Sequence, residues 1–143
     1  MPTLFHGTRL NFARHMAGTA AAGQIDVTLG GGEYGRGFYT QKSQANALAW
    51  AINRFSPAAH PCVLQLDVQD PLYLALNIKL LDLKDAKKLT QKLRKTGTTK
   101  TYLHGGDVVV GPLNLNTKKE QQKFESNNGQ ALLNGRDTTR RVI

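Results

Sequence analysis

The sequence predicts an α+β fold, and three observations support this prediction. The chain has 143 residues, of which 40% are apolar and 20% charged, a composition typical of a globular domain with a real core. Short β-type and helical segments follow one another without the regular spacing of a doubly wound parallel sheet. No internal repeat and no linker-like stretch divides the chain. We therefore predict one compact domain over residues 1–143.

The predicted strands are short and rich in apolar or β-branched residues. Residues 3–5 are expected to form a strand that delivers His6 at its end. The glycine triplet 30–32 predicts a loop, because three successive glycines rarely hold a regular element. The other predicted strands are residues 38–40, 62–68, 71–76, 107–110 and 122–125.

Two longer helices are predicted, with short ones at residues 10–16 and 130–133. Ser43 is a good N-cap for the first long helix, 43–55, whose inward stripe is predicted to be Ala47, Leu48, Ala51, Ile52 and Phe55. The second is predicted over residues 82–95, and Gly97 supplies the signal that ends it. Its predicted inward residues are Leu83, Ala86, Leu89 and Leu93. Residues 18–23 are predicted to be a flexible connection, and residues 136–143 a polar tail.

The charge balance favours a polyanionic ligand or partner. Nineteen basic residues face ten acidic ones, which gives a net charge of +9. The lysines of the second long helix, with Arg136, Arg140 and Arg141, make a nucleic-acid substrate plausible. That helix carries no aromatic residues between its lysines, so stacking on single-stranded bases is not indicated there.

Several classes of site are disfavoured. The single cysteine, Cys62, excludes an internal disulfide and a cysteine-based zinc cluster, and we expect no metal. No apolar run approaches the roughly 20 residues that span a bilayer. Residues 1–14 lack the charged-then-apolar pattern of a signal peptide. We expect a cytoplasmic site of action, with delivery as a secreted effector left open.

Two glycine-containing segments carry the candidate chemistry. His6 is followed by Gly7 and Thr8, and a glycine there would let a ligand amide approach the main chain. In the second segment, residues 35–40, Arg36 can hold a pyrophosphate by charge-assisted hydrogen bonds. Phe38 and Tyr39 are adjacent on a strand, so only one of them faces a pocket and the other packs in the core. Neither segment matches a Rossmann fingerprint or a P-loop.

These segments, with residues 45–51 and 106–113, resemble a small bacterial family of the ADP-ribosyltransferase superfamily. The chain is similar, over about residues 3–133, to the branch that contains poly-ADP-ribose polymerases and diphtheria-toxin-like domains. The resemblance implies a split β-sheet sandwich that binds NAD in a cleft. It implies that His6 hydrogen-bonds a ribose, that Gly7 bonds the nicotinamide amide and that Tyr39 stacks on the nicotinamide ring.

The third family position departs from the pattern. That branch places a glutamate on a later strand to bind the 2′-hydroxyl of the nicotinamide ribose. Here the matching region holds Gln121 or Gln122, flanked by Glu120 and Glu125. Because the transition state resembles an oxocarbenium ion, a carboxylate stabilises it better than an amide. Glu120 and Glu125 are therefore the preferred catalytic candidates, and we rank Glu120 slightly first.

The resulting hypothesis is an NAD-dependent mono-ADP-ribosyltransferase, a toxin-like effector that modifies a macromolecule and releases nicotinamide. The positive charge favours RNA over protein as the target. An acidic immunity or antitoxin protein would complement the charge of +9. One alternative is an RNA 2′-phosphotransferase-like enzyme, for which Arg9, Arg14 and His15 offer part of a phosphate site. The other is a catalytically inactive module that binds NAD, ADP-ribose or nucleic acid.

Overall fold

The computed structural model describes residues 2–18 and 24–143, so most of the predicted connection 18–23 lies outside the described residues. Within these ranges the chain is mixed α/β. Its strands are β1 Thr3–Arg9, β2 Phe38–Gln41, β3 Pro61–Asp67, β4 Ile78–Leu80, β5 Val108–Leu113, β6 Asn116–Phe124 and β7 Thr139–Val142. Its α-helices are α1 Leu10–Met16, α2 Gln44–Arg54, α3 Asp70–Leu74, α4 Leu83–Thr96 and α5 Asn127–Asn134. A short 3₁₀ helix covers Pro57–Ala59. The predicted α+β class agrees with this content.

The described chain forms two compact units built from interleaved segments. The first comprises residues 1–25, 40–73 and 132–143, and the second comprises 26–39 and 74–131. In the first unit β1 pairs antiparallel with β3, with His6 opposite Leu64, and β3 pairs antiparallel with β7. The other edge of β1 pairs with the end of β2, where Phe5 lies opposite Gln41.

The second unit pairs β5 antiparallel with β6 and parallel with β4. Val109 lies opposite Lys123 and Val110 opposite Gln122. Helix α4 begins at the Asp82 cap, whose carboxylate accepts from the Asp85 amide. It ends at Gly97, which adopts the left-handed conformation at φ 66°. The core of this unit contains Tyr34, Ala86, Leu89, Leu93 and Val109.

Helix α2 begins as predicted, because the Ser43 hydroxyl accepts from the Asn46 amide. Its predicted inward stripe is only half right. Ala47 and Ala51 are buried, whereas Leu48 is 37% and Ile52 58% exposed. The helix lies close enough to β1 and β3 that only alanine-sized side chains fit beneath it.

Several other predictions are wrong in detail. Strand β1 continues to Arg9, so His6 lies in the middle of a strand and not at its end. Residues 70–74 form a helix where a strand was predicted, and the actual strand, β4, begins at Ile78. In α4, Leu83 is 42% exposed and not inward. The predicted polar tail contains β7, which pairs with β3 through main-chain bonds that its arginine-rich composition does not reveal.

Across the described ranges, no helix has the length and apolar character that a membrane span requires.

Candidate functional site

His6 lies on β1 in the first unit. Paired residues of an antiparallel ladder share a face, so His6 lies on the face of Leu64, with Thr8 beside Cys62. His6 is half-buried and Thr8 is buried. On this face of the strand, half-buried His6 therefore lies between two buried neighbours, Leu4 and Thr8.

Gly7 faces the other side of β1, under helix α2. A methyl group on Gly7 would overlap the carbonyl oxygen of Ala47 and come within 3.4 Å of the Ala51 side chain. Close packing of the helix on the strand therefore explains why this position is glycine. The predicted bond from Gly7 to a nicotinamide amide stays a prediction.

The glycine-rich segment 30–37 lies in the second unit, where it leads into β2. The segment packs closely against residues of the same unit, since a methyl group on Gly32 would come within 2.9 Å of the Tyr39 ring. Gly35, at φ 96°, lies against the Tyr102 backbone, and the Arg36 amide donates to the Tyr102 carbonyl at 2.9 Å. Contacts within the second unit therefore hold the segment in place.

Tyr39 is anchored through its hydroxyl. That oxygen accepts from the Tyr34 amide at 2.9 Å and donates to the Gly35 carbonyl at 2.6 Å. Burial raises the pKa of Tyr39, so the phenol stays protonated and keeps both bonds. The ring is half-buried, while the adjacent Phe38 is buried, in keeping with the alternation of a strand.

Arg36 carries a buried donor. Its Nε atom has no hydrogen-bond partner among residues 2–18 and 24–143. Buried polar atoms normally find partners, and an anion could supply one here. Asp26 and Lys123 lie close enough for the charge of Arg36 to lower their pKa values, although hydrogen bonds from Thr28 and burial, respectively, are the larger causes.

The four candidate catalytic residues are divided between the two faces at the end of β6. Gln121 faces one side, where its side-chain amide donates to the Pro112 carbonyl at 3.4 Å. Glu125 is on the same side, just beyond the strand. Glu120 and Gln122 face the other side and contact each other at 3.4 Å. Gln122 is fully buried and Glu120 half-exposed.

Glu125 is occupied within the second unit. One carboxylate oxygen accepts from the His104 amide and the other from the Gly105 amide, both at 3.1 Å. Oε1 also pairs with Lys123 Nζ at 2.9 Å, and the two side chains are 2% and 0% exposed. These three donors hold both carboxylate oxygens of Glu125 within the second unit.

Lys123 is the residue at this site that sequence reasoning missed. Its Nζ donates to the Tyr34 carbonyl at 2.8 Å, and its stem lies 2.5 Å from the position a Gly37 methyl group would take. Burial lowers the pKa of Lys123, while Glu125 opposes that shift. The only signal in the sequence is its i, i+2 spacing from Glu125, which puts opposite charges on one face of a strand.

Other candidates contribute less. Arg9 lies over the Phe12 ring at 4.1 Å, and its buried Nε atom has no hydrogen-bond partner among the described residues. Arg14 and His15 are exposed on α1. A shallow groove of about 390 Å³ in the second unit is lined partly by Lys88, Lys92 and His104. In the described part of the chain, no three histidine, cysteine or acidic residues are grouped to hold a metal ion.

Comparison with known proteins adds no assignment to this geometry. No protein-family model matches the sequence, and no curated protein is significantly similar to it.

Proposed function

We propose that this protein is an NAD-dependent mono-ADP-ribosyltransferase with the split-sheet fold of that superfamily. The assignment of His6 and Tyr39 to one NAD molecule comes from the resemblance of their segments to the histidine–tyrosine branch. The observation that carries the proposal is the anchoring of Tyr39, whose hydroxyl is held by Tyr34 and Gly35. A ring fixed in this way is suited to stacking on nicotinamide, because little side-chain entropy remains to be lost on binding.

The buried Nε of Arg36 supports the same proposal. A donor without an acceptor among the described residues, two positions before β2 begins, is suited to a pyrophosphate oxygen. On β6, Glu120 is assigned to the 2′-hydroxyl of the nicotinamide ribose, and Gln122 to orienting it. Both lie on the face of β6 that is not occupied by the Lys123–Glu125 pair.

The reaction breaks the bond between C1′ of the ribose and the nicotinamide nitrogen. The electron pair leaves with neutral nicotinamide, and a nucleophile on the target forms the new bond to C1′ and releases its proton. Positive charge grows on the ribose between these events, and the Glu120 carboxylate would stabilise it. NAD is consumed as a co-substrate.

Release of nicotinamide from NAD tests the proposal directly. Purified protein is incubated with NAD carrying a label in its adenylate half, with total RNA or cell proteins added separately. We expect nicotinamide release and label transfer, with RNA the favoured acceptor. Tyr39→Ala and His6→Ala should each lower nicotinamide release at NAD concentrations below the wild-type KM, while Tyr73→Ala, a half-buried tyrosine on α3, should retain the wild-type rate.

The ribose assignment has its own test. Glu120→Gln should lower the rate of nicotinamide release by about 10²–10³-fold, the usual effect of removing one group that stabilises transition-state charge. Lys118→Gln, an exposed neighbour on the same strand, is the control. Equal rates in Glu120→Gln and wild type would remove Glu120 from the mechanism.

Three other outcomes would redirect the assignment. NAD or ADP-ribose binding without nicotinamide release would indicate an inactive binding module. Release of phosphate from a 2′-phosphorylated RNA would indicate the phosphotransferase. Absence of NAD binding by calorimetry would reject both NAD-consuming enzymes and leave only a module that binds ADP-ribose or nucleic acid. The proposed toxin role further predicts an acidic inhibitor protein, since the chain carries +9.

A further inference from the structure

The end of β6 is tied to two loops of its own unit by one buried ion pair. Lys123 Nζ donates to the carbonyl of Tyr34, in the glycine-rich segment. Glu125 accepts from the amides of His104 and Gly105, in the loop before β5. Because Lys123 and Glu125 contact each other at 2.9 Å, the pair joins all three pieces of backbone.

This connection leads to Tyr39 in one further step. The residue whose carbonyl is held by Lys123, Tyr34, uses its amide to hold the Tyr39 hydroxyl at 2.9 Å. The loops are also joined directly, since the Arg36 amide donates to the Tyr102 carbonyl. Displacing Lys123 therefore displaces the Tyr34 backbone, and with it a hydrogen-bond partner of the Tyr39 phenol.

Lys123 cannot itself touch a substrate in this arrangement. Its side chain is fully buried, its Nζ is shared between Tyr34 and Glu125, and its stem packs on Gly37. A buried ion pair is weak evidence for stability alone, since apolar replacements of both partners are often tolerated. A role in fixing one backbone arrangement accounts for its presence better.

We propose that Lys123 and Glu125 are a pair of positioning residues that fix the glycine-rich segment and thereby the orientation of the Tyr39 ring towards NAD. The expected effect on NAD turnover rests on the proposed function. The expected effect on the backbone of the glycine-rich segment does not. The inference also assigns Glu125 to positioning and not to the ribose.

The decisive variant is Lys123→Met/Glu125→Gln. It removes both charges together, so neither is left buried without its partner, and glutamine still offers an acceptor to the loop amides. Methionine keeps an apolar stem against Gly37 but loses the bond to Tyr34. Lys119→Met, an exposed position on the same strand, is the matched control.

Two measurements report on the positioning without NAD. Fluorotyrosine incorporation gives four ¹⁹F resonances, one for each tyrosine, and Tyr39→Phe identifies that of Tyr39. In the double variant we expect the Tyr39 resonance to shift or broaden while that of Tyr73, in the other unit, is unchanged. Hydrogen exchange of the Tyr34 and Arg36 amides should accelerate at least about tenfold, an effect local to the segment.

The kinetic measurement requires the proposed transferase activity. If Tyr39 stacks on nicotinamide equally before and during reaction, the double variant should raise the KM for NAD by about three- to tenfold with kcat nearly unchanged. A general loss of folded protein would lower the apparent kcat and leave KM unchanged.

The outcomes separate the two proposals. Wild type that neither binds nor cleaves NAD refutes the proposed function, and the ¹⁹F and exchange results still decide the positioning role. Active wild type with an unchanged Tyr39 resonance, exchange rate and KM in the double variant refutes the positioning role alone. Failure of both the double variant and Lys123→Met to fold would also overturn it, because the pair would then be a requirement for folding.

Discussion

Tyr34 illustrates, at the scale of a residue, how burial and hydrogen bonding set chemistry in this chain. Its side chain is fully buried, and its hydroxyl donates to the Pro112 carbonyl. Burial raises the pKa of Tyr34 to about 12. The same cause raises the pKa values of Tyr39 and Tyr102. Three of the four tyrosines therefore resist ionisation in the folded protein.

This resistance predicts alkaline unfolding. A folded-state pKa above the unfolded value stabilises the protein fully below pH 10 and ceases to do so as the pH rises through about 12. Tyr34 alone should contribute roughly 3 kcal/mol to that loss. Phenolate absorbance and circular dichroism, followed together against pH, should show most tyrosines ionising only as the fold is lost. Four tyrosines titrating near pH 10 in a native spectrum would contradict the prediction.

At the scale of elements, the contact between β1 and α2 depends on small residues. Gly7 lies under Ala47 and Ala51, and both alanines are buried to 0% exposure. The close approach explains why α2 leaves its larger side chains, including Trp50 and Ile52, exposed. The packing of α2 therefore accounts for glycine at position 7, and its predicted contact with a ligand stays a prediction.

Gly7→Ala should destabilise the first unit by about 1–3 kcal/mol, the usual range for overpacking, because the obstacle is the Ala47 carbonyl and not a flexible side chain. Gly97→Ala separates packing from backbone strain, since Gly97 has open space around it but a φ of 66°. That control should cost about 1 kcal/mol. Urea denaturation measures both. A Gly7→Ala protein with wild-type stability and lost NAD binding would instead support the ligand role.

At the scale of the whole molecule, the excess of basic residues predicts association with polyanions. Helix α4 exposes Lys84, Lys87, Lys88, Lys92, Arg94 and Lys95, and its buried face holds the core of its unit. The charges are therefore free of any role in that core. Their closeness on one helix favours phosphate contacts without sequence preference.

Affinity for single-stranded RNA should accordingly fall steeply with salt. Replacing Lys87 and Lys88 by glutamine should reduce the slope of log K against log salt by about 1.4, if both contact phosphates. Lys118→Gln/Lys119→Gln removes the same charge from an exposed part of β6. Fluorescence anisotropy over a salt series measures the slopes. Equal slopes for the two double variants would place the RNA contacts elsewhere or show that charge acts only at long range.

The sequence by itself determined the α+β content and the elements whose signals are local. Ser43 and Gly97 cap their helices as predicted, because a cap acts on amides or carbonyls within one turn. Asp82, predicted as the first residue of α4, is its N-cap. The periodic leucines of α4 likewise identify a buried face. Extended segments at residues 38–41 and 61–67 were recognisable from their apolar and β-branched residues.

Only the tertiary structure decided the rest. Strand β7 forms because it pairs with the edge of β3. The larger side chains of α2 are exposed because its alanines pack closely on Gly7. The Lys123–Glu125 pair joins residues near positions 34, 104 and 124, which are distant in the chain. Such features depend on long-range pairing and desolvation, and no local window of sequence contains the partners that determine them.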